Sequence, residues 1–464
     1  PLRLVGSEMC IRDRSCILLG IFYWGYCQNS RGYDLVEAYP EVLVNPYSRP
    51  FSPDSVITAF PKDVIHPHLF ESLPISERDS IRRIVISRMK KDTLNLTESL
   101  YAFKPYFDRL KFEDPHFRPL IPWFITKNNR ANSDKIPILP WDIININDTI
   151  IIDHSYDEKF HKGDRILEIN NTPVEEFIKY TYTNRYSPFI VYQAYYHYAY
   201  SPGYTVKTQR QNQILNIHTE GITYDHYLKN KISENQKKIW ADYKTGYFSI
   251  PAFRYNKSII KDLYSFIKRL KKIGYPNLII DIRKNGGGSG SDFDELMSLL
   301  VNKDTVVYLK NVRLRVSPNT IKDYDFLTED RMGQLINLPE RYFVKSFPLN
   351  KEKYQNMNIY VLISEDTGSQ AATFANILQY NGSAKLAGVP LLHNALKYGE
   401  ITHLPWSSNP YATVSISTIE LDEYTRNPDG QVYPDIEIPF VASEYMKGGD
   451  PVLEKLLEHI ESTR

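Results

Sequence analysis

Beyond Cys27 the 464-residue chain contains no cysteine; all three, Cys10, Cys16 and Cys27, lie at its N-terminal end. Disulfides and thiolate metal sites are therefore excluded from everything that follows. No H-E-x-x-H pattern occurs either, so zinc-hydrolase chemistry has no sequence support, and neither a metal nor another cofactor is expected. A charge surplus is missing: 56 Lys and Arg balance 55 Asp and Glu, for a net charge of +1. That balance gives a polyanion no electrostatic handle, so no nucleic-acid partner is expected. Internal repeats and low-complexity linkers are absent. So is any apolar run long enough to span a membrane comfortably.

What remains is ordinary globular material, 42% hydrophobic and 24% charged. The length is too great for one core and suggests two to four domains. The 35 tyrosines are read as packing residues. At the N-terminus, Arg12 and Arg14 precede CILLGIFYWGYCQN, the charge-then-apolar order of a secretory signal. Cleavage near Cys27-Gln28 would remove every cysteine. Lipid attachment at Cys27 is the lesser alternative, because Tyr26 is bulky where such sites take a small residue. Residues 1–30 are thus expected to be a leader. The mature protein is expected to be secreted or periplasmic, with no stable membrane span.

Residues 31–130 carry helical patterns that close on DPHFRP, 114–119, where two prolines end the helix. Residues 131–230 turn β-rich, with IIININDTIIID and YTVKTQRQNQILNIHTE flanking KGDRILEINNTPVEEF and a tyrosine-rich helix. From 231 to 464 strand and helix alternate. Tyr247–Ile250, Leu278–Asp281 and Ile359–Ile363 read as strands. SIIKDLYSFIKRLKKIG reads as an amphipathic helix ending at Gly274, and DFDELMSLLV as another. This order predicts an α/β core.

Four segments carry candidate chemistry. LIIDIRKNGGGSG, 278–290, ends a strand in a glycine run, Gly286-Gly287-Gly288, whose N–H groups can point into a cleft. No Gly-Lys-Ser/Thr follows, so an oxyanion is a better occupant than a phosphate. VLISEDTGSQAATF, 361–374, puts Ser369 at a strand-to-helix turn, where it is either a nucleophile or a helix cap. KGDRILEINNTPVEEF, 162–177, has the look of a PDZ signature, a module that takes chain ends by adding a strand. DPHFRP supplies a histidine between prolines.

Together these segments resemble the C-terminal-processing (tail-specific) serine peptidase family, including its tricorn-core-like members, from about residue 85 to the end. The family motif D-x-R-x-N-x-G-G matches Asp281, Arg283, Asn285, Gly287 and Gly288. Its T-x-S-A-x-E motif aligns with Thr367 and Ser369. Its closing segment resembles Gly430–Ile436, and GGDPVLEKLLEHI resembles its last helix. The resemblance implies a crotonase/ClpP-like α/β protease core, a PDZ-like domain and a helical N-terminal region. It also implies a serine endopeptidase acting on extended or C-terminal peptide segments. Ser369 would be the nucleophile, and Gln370 with one of Gly286, Gly287 and Gly288 would hold the oxyanion. Gly163, Asp164 and Ile166 of the PDZ-like segment would receive a substrate end.

The base stays open between two residues. One branch of the family uses a lysine, but Asn394 occupies that place, and Lys397 is three residues on. The tricorn-like branch uses a histidine just before the PDZ domain, where His116 stands and where an unperturbed pKa near neutrality suits the task. His393 and His403 flank the same loop as Lys397. A carboxylate would orient the imidazole, with Asp429, Asp422 and Glu423 in the right segment. Two departures, Ala372 in place of the family's acidic residue and VPLLHN in place of its glycine turn, favour the alternative of a non-catalytic paralogue. Such a paralogue would bind peptides or apolar ligands.

Overall fold

The computed structural model describes residues 73–89, 96–110, 114, 118–120, 137–178, 185–188, 203–231, 236–253, 257–288, 293–303, 305–306, 309–318, 320–324, 326–338, 345–346, 357–392, 396–405 and 413–463. The expected leader, its three cysteines and the tyrosine-rich helix lie outside the described residues, as do His116, His393 and Asn394.

Two helices come first, α1 (Ile75–Arg88) and α2 (Leu96–Leu110). They are joined by Arg109 Nε donating to Glu77 Oε1 at 2.6 Å. A short strand, β1 (Arg118–Leu120), follows. The β-rich region then forms a seven-stranded antiparallel sheet from β2 (Trp141–Ile146), β3 (Thr149–Ser155), β4 (Arg165–Ile169), β5 (Tyr186–Pro188), β6 (Tyr204–Arg210) and β7 (Gln213–Thr219). Their order is β5-β2-β3-β4-β6-β7, with Thr172–Pro173 beside β4. Two of its tight turns use Asn147-Asp148 and Asn170-Asn171, all four at positive φ, where Asn and Asp bear the left-handed conformation best. Side chains alternate across β2. Trp141 and Ile143 enter the sheet's own core, while Ile144 and Ile146 pack against the main domain. Strand β2 is therefore buried on both faces, and through it the inserted sheet packs on the main domain.

The main domain alternates as the sequence predicts. Its elements begin with β8 (Lys237–Trp240), β9 (Thr245–Ser249), α3 (Lys257–Lys272), β10 (Asn277–Asp281) and α4 (Phe293–Leu300). After β11 (Leu309–Arg315) and β12 (Leu335–Asn337) come β13 (Asn358–Ile363), α5 (Gln370–Tyr380) and β14 (Lys385–Gly388). The chain closes with β15 (Leu396–Pro405), β16 (Thr413–Glu423), β17 (Ile436–Glu437) and α6 (Pro451–Ser462). Six strands form one sheet in the order β8-β9-β10-β13-β14-β17, parallel except for β8.

Helix α3 stops at Gly274, whose φ of +73° lets the Tyr275 N–H return to Leu270 O at 2.9 Å. Leu278, Ile280, Val361 and Ile363 meet α3, α4 and α5 on one face; Phe374 is fully buried between Phe253 and Phe293. Tyr247, Ile279, Tyr360 and Leu362 point the other way, onto α6 and the inserted sheet. Because both faces are covered, the central strands are continuously apolar rather than alternating.

A further sheet has no counterpart in the sequence reading. Strand β16 pairs with β15 on one side and with β1 and β11 on the other, and β12 extends it beyond β11. Its strands come from both ends of the chain, so no local pattern announces it. Its effect is to bring the segment around residue 114 against β16. Arg118 pairs with Ser415, and Ser417 Oγ donates to Asp114 Oδ1 at 3.0 Å.

Candidate active site

In the parallel sheet, β10 ends at Asp281 and β13 at Ile363 on the same edge, with Asp281 paired to Leu362. The two loops that leave these ends are sewn together. Ser364 Oγ donates to Arg283 O at 2.6 Å and Thr367 Oγ1 to Ile282 O at 3.0 Å. The Gly368 N–H donates to Asn285 O at 3.0 Å. Asn285 is fully buried. Its Nδ2 donates to Ile250 O at 3.0 Å, and its Oδ1 accepts the Gly287 N–H at 2.9 Å. Thr367 and Asn285, read as motif letters in the sequence, are thus the stitches that hold the glycine loop beside the serine turn.

Ser369 stands at the tip of that turn with φ +48° and ψ −125°. A residue with a β-carbon rarely occupies this region, and holding it there stores strain of the kind concentrated at active sites. Ser369 precedes α5 in the place of an N-cap, yet its side chain makes no capping bond. The cap explanation therefore fails on geometry, since a cap residue has extended φ and accepts an N–H of the first turn.

The glycine loop lies directly against it. A β-carbon on Gly287, at φ +110°, would fall 2.7 Å from Ser369 Cβ and 3.1 Å from the Gln370 N. One on Gly288, at φ +132°, would fall 1.9 Å from Phe253 O. Gly286 is different, with nothing within 4 Å. The Gly287 carbonyl accepts the Phe253 N–H at 3.0 Å, which turns the Gly288 N–H of the same peptide the opposite way. The Gly287 N–H is taken by Asn285, whereas Gly286 and Gly288 in the loop and Gln370 at the start of α5 have no backbone acceptor among the described residues.

Asp281 and Arg283 of the same motif serve the frame. Buried Arg283 donates to Asp281 Oδ2 at 2.6 Å and to both carboxylate oxygens of Asp450 at 2.8 and 2.7 Å. Asp450 in turn caps α6 through the Leu453 N–H at 3.2 Å. Burial pushes the Asp450 carboxyl up, but the Arg283 guanidinium overrides it and holds it below the ordinary value. Burial also opposes the charge of Arg283, and Asp281 and Asp450 outweigh it.

The remaining sequence candidates divide. Asp429 is exposed in a surface turn, where it accepts the Gln431 N–H at 2.9 Å and the Tyr433 hydroxyl at 3.1 Å. Asp422 faces Lys310 at 3.5 Å. Glu423 is fully buried against α5, the helix that follows Ser369. It accepts the Asn376 Nδ2 at 2.8 Å and the hydroxyl of Thr373, one turn beyond Ser369. Lys397 and His403 lie on β15, with backbones opposite Leu421 and Ser415. Gly163, Asp164 and Ile166, expected to receive a substrate end, are engaged otherwise. A β-carbon on Gly163 would meet Gly448 N at 2.7 Å. Buried Asp164 accepts Arg210 Nε at 2.8 Å and its terminal nitrogen at 2.7 Å. Ile166 is in the core of the inserted sheet. Packing, not exposure, explains these three residues. Among the described residues no group of three or more His, Cys, Asp or Glu side chains is arranged to hold a metal ion.

Residues 244–438, which contain both sewn loops, match the model of peptidase family S41. The chain carries a peptidase family S41 domain. The S41 family is one of serine-type peptidases, which assigns the chain to the hydrolases. Mature CPAF matches with a TM-score of 0.55 at 14% identity, over 88% of this chain and 94% of that one. CPAF complexed with lactacystin gives a TM-score of 0.56 at 14% identity, over 88% and 96% of the two chains. The photosystem II D1 C-terminal processing protease aligns at 15% identity over 86% and 97%, with a TM-score of 0.43. At these identities the likeness to CPAF establishes an S41-type fold alone. No curated protein matches the sequence. No helix among the described residues is long and apolar enough to cross a membrane.

Proposed function

We propose that the S41 domain is a serine endopeptidase that works through an acyl-enzyme, with Ser369 as nucleophile. The observation that carries the reading is the strained, uncapped Ser369 held against Gly287. A serine that served only the helix would relax into a cap. In the proposed step Ser369 Oγ attacks the scissile carbonyl carbon while a base takes its proton. The carbonyl π electrons move onto oxygen, where the N–H groups of Gln370 and Gly288 hold the negative charge. The tetrahedral adduct collapses, the C–N bond breaks, and the protonated base delivers its proton to the leaving amine. Water then attacks the ester by the same route and frees Ser369.

For the base, His116 is the proposal. Asp114, two residues before it, is tied to Ser417, and Arg118, two residues after it, is paired with Ser415, so both neighbours are fixed on β16. Glu423 ends the same strand beside α5, and its burial supports it over exposed Asp429 as the carboxylate of the site. Cleavage of extended or C-terminal segments, and secretion of the mature chain to the periplasm or beyond, are carried over from the sequence motifs.

The test is covalent labelling with a fluorophosphonate, read by mass spectrometry. Wild-type chain should gain the phosphonyl adduct on Ser369, and Ser369→Ala should gain none. An unlabelled wild-type chain that still binds peptides would replace the enzyme by a binding protein.

A further inference from the structure

The turn that presents Ser369 is gripped from outside its own domain. Asp366, three residues before the serine, directs its carboxylate at the edge strand of the inserted sheet. Its Oδ1 accepts the Arg185 N–H at 3.0 Å and its Oδ2 the Tyr186 N–H at 2.6 Å. Next to it, Glu365 pairs with the Arg185 guanidinium, which donates from Nε at 2.7 Å. Residues 185–186 are themselves fixed on the inserted sheet. Arg185 O accepts the Asn145 N–H at 2.6 Å, and Tyr186 pairs with Ile144. The Arg185 guanidinium lies 4.3 Å over the Phe440 ring.

We propose that Asp366 is a positioning residue for Ser369, an anionic clip through which the inserted sheet sets the turn that carries the nucleophile. The inference rests on Ser369 being that nucleophile. Its logic is hydrogen-bond counting. A carboxylate presents acceptors at both oxygens, and two N–H donors point at it, one at each. A carboxylic acid or an amide offers only one strong acceptor oxygen and places a hydrogen on the other side. Neutral Asp366 therefore cannot hold both donors well, and the turn gains freedom at the residue whose strained geometry depends on it.

The groups facing Asp366 are Glu365 on its own turn and Arg185 and Tyr186 on the strand. Burial pushes the Asp366 carboxyl up, the Tyr186 and Arg185 amides oppose it, the Glu365 charge adds to the rise, and the result is about 6. The Tyr186 phenol, raised well above its ordinary value by burial, stays neutral throughout. For stability the sign is fixed by linkage. A folded value of about 6 lies above the ordinary 3.8, so the group's stabilisation is full below 3.8 and is lost as pH rises through about 6. At pH 8 the ionised clip thus costs stability.

The experiment compares the fluorophosphonate labelling rate of full-length wild type and Asp366→Asn between pH 5 and pH 8. The titration of the base is common to both and cancels in the ratio. At pH 8 the variant should label about 10-fold more slowly, the order expected for weakening one charge-assisted hydrogen bond. The ratio should fall toward 1 below about pH 6, where the wild-type clip is neutral too. The variant should melt no lower than wild type at pH 8. A ratio independent of pH, or a variant that melts lower and labels slower in step at every pH, overturns the proposal. A second measurement needs no variant: wild type carrying ¹⁵N only in Arg and Tyr, followed by amide NMR. The Arg185 and Tyr186 amide signals should shift with a midpoint near pH 6. Stationary signals overturn the clip even where Asp366→Asn does not fold. Failure of wild type to label at all would instead remove the nucleophile assignment.

Discussion

The backbone amide of Gly368 donates to the carbonyl of Asn285 at 3.0 Å, across the gap between two parallel strand ends. Together with the Ser364 and Thr367 hydroxyl bonds it joins the two loops, and Asn285 extends the junction by holding Gly287 with its side chain. The contact between Gly287 and Ser369 is therefore fixed from both sides, which sets the first prediction. Gly287→Ala places a methyl 2.7 Å from Ser369 Cβ at a backbone φ of +110°. Its kcat should fall by at least about 100-fold, the scale of a lost oxyanion donor. Gly286→Ala, with open space around its new methyl, should stay within about 3-fold of wild type. Steady-state kinetics on a peptide substrate separates the two. Equal loss at both positions would place the oxyanion site elsewhere in the loop.

Ser369→Gly should raise stability while abolishing activity. Glycine accepts the φ of +48° and ψ of −125° without the penalty that a β-carbon carries. The gain expected is roughly 1 kcal/mol, visible in a denaturant midpoint at unchanged m-value. A serine acting as a cap would move the midpoint down instead.

His116→Ala should lose about 10²–10⁴-fold in kcat/KM, while Lys397→Ala changes little. Wild-type activity should rise through a pKa not far from ~6.5, the ordinary value of histidine. A dead Lys397→Ala beside an active His116→Ala would transfer the base to the lysine, and its activity would rise at more alkaline pH.

Arg283→Met leaves Asp281 and Asp450 facing each other without their shared cation. The cost at pH 7 should be about 3–5 kcal/mol, as for other buried pairs that lose one partner. Asp450 has a depressed value in the folded protein, so its stabilisation is present above 3.8 and disappears as pH falls through the lower folded value. The gap between variant and wild type should therefore narrow in acid, below about pH 4. Urea unfolding across pH 3–7 measures it. A gap that is constant with pH would mean that packing, rather than charge, accounts for the loss.

The sequence by itself determined the alternating core. Apolar runs such as Leu278–Ile280 and Ile359–Ile363 have the continuous pattern of strands buried on both faces, and they are central strands of the sheet. Gly274 and Asp450 mark where α3 stops and α6 starts, because helix ends have local backbone requirements. The glycine loop and the serine turn were legible for the same reason: each is a short run of neighbouring residues. Tertiary structure alone decided the rest. That Ser369 is strained rather than capping depends on Asn285, Thr367 and Gly287, which contribute bonds and contacts across 80 or so residues of chain. The sheet around β16 joins residues near 118 to residues near 415, a pairing whose partners have no sequence proximity to reveal it. Burial of Glu423, exposure of Asp429 and the grip of Asp366 on the inserted sheet are likewise properties of distance in space. A carboxylate looks the same in a sequence whether water or two backbone amides surround it.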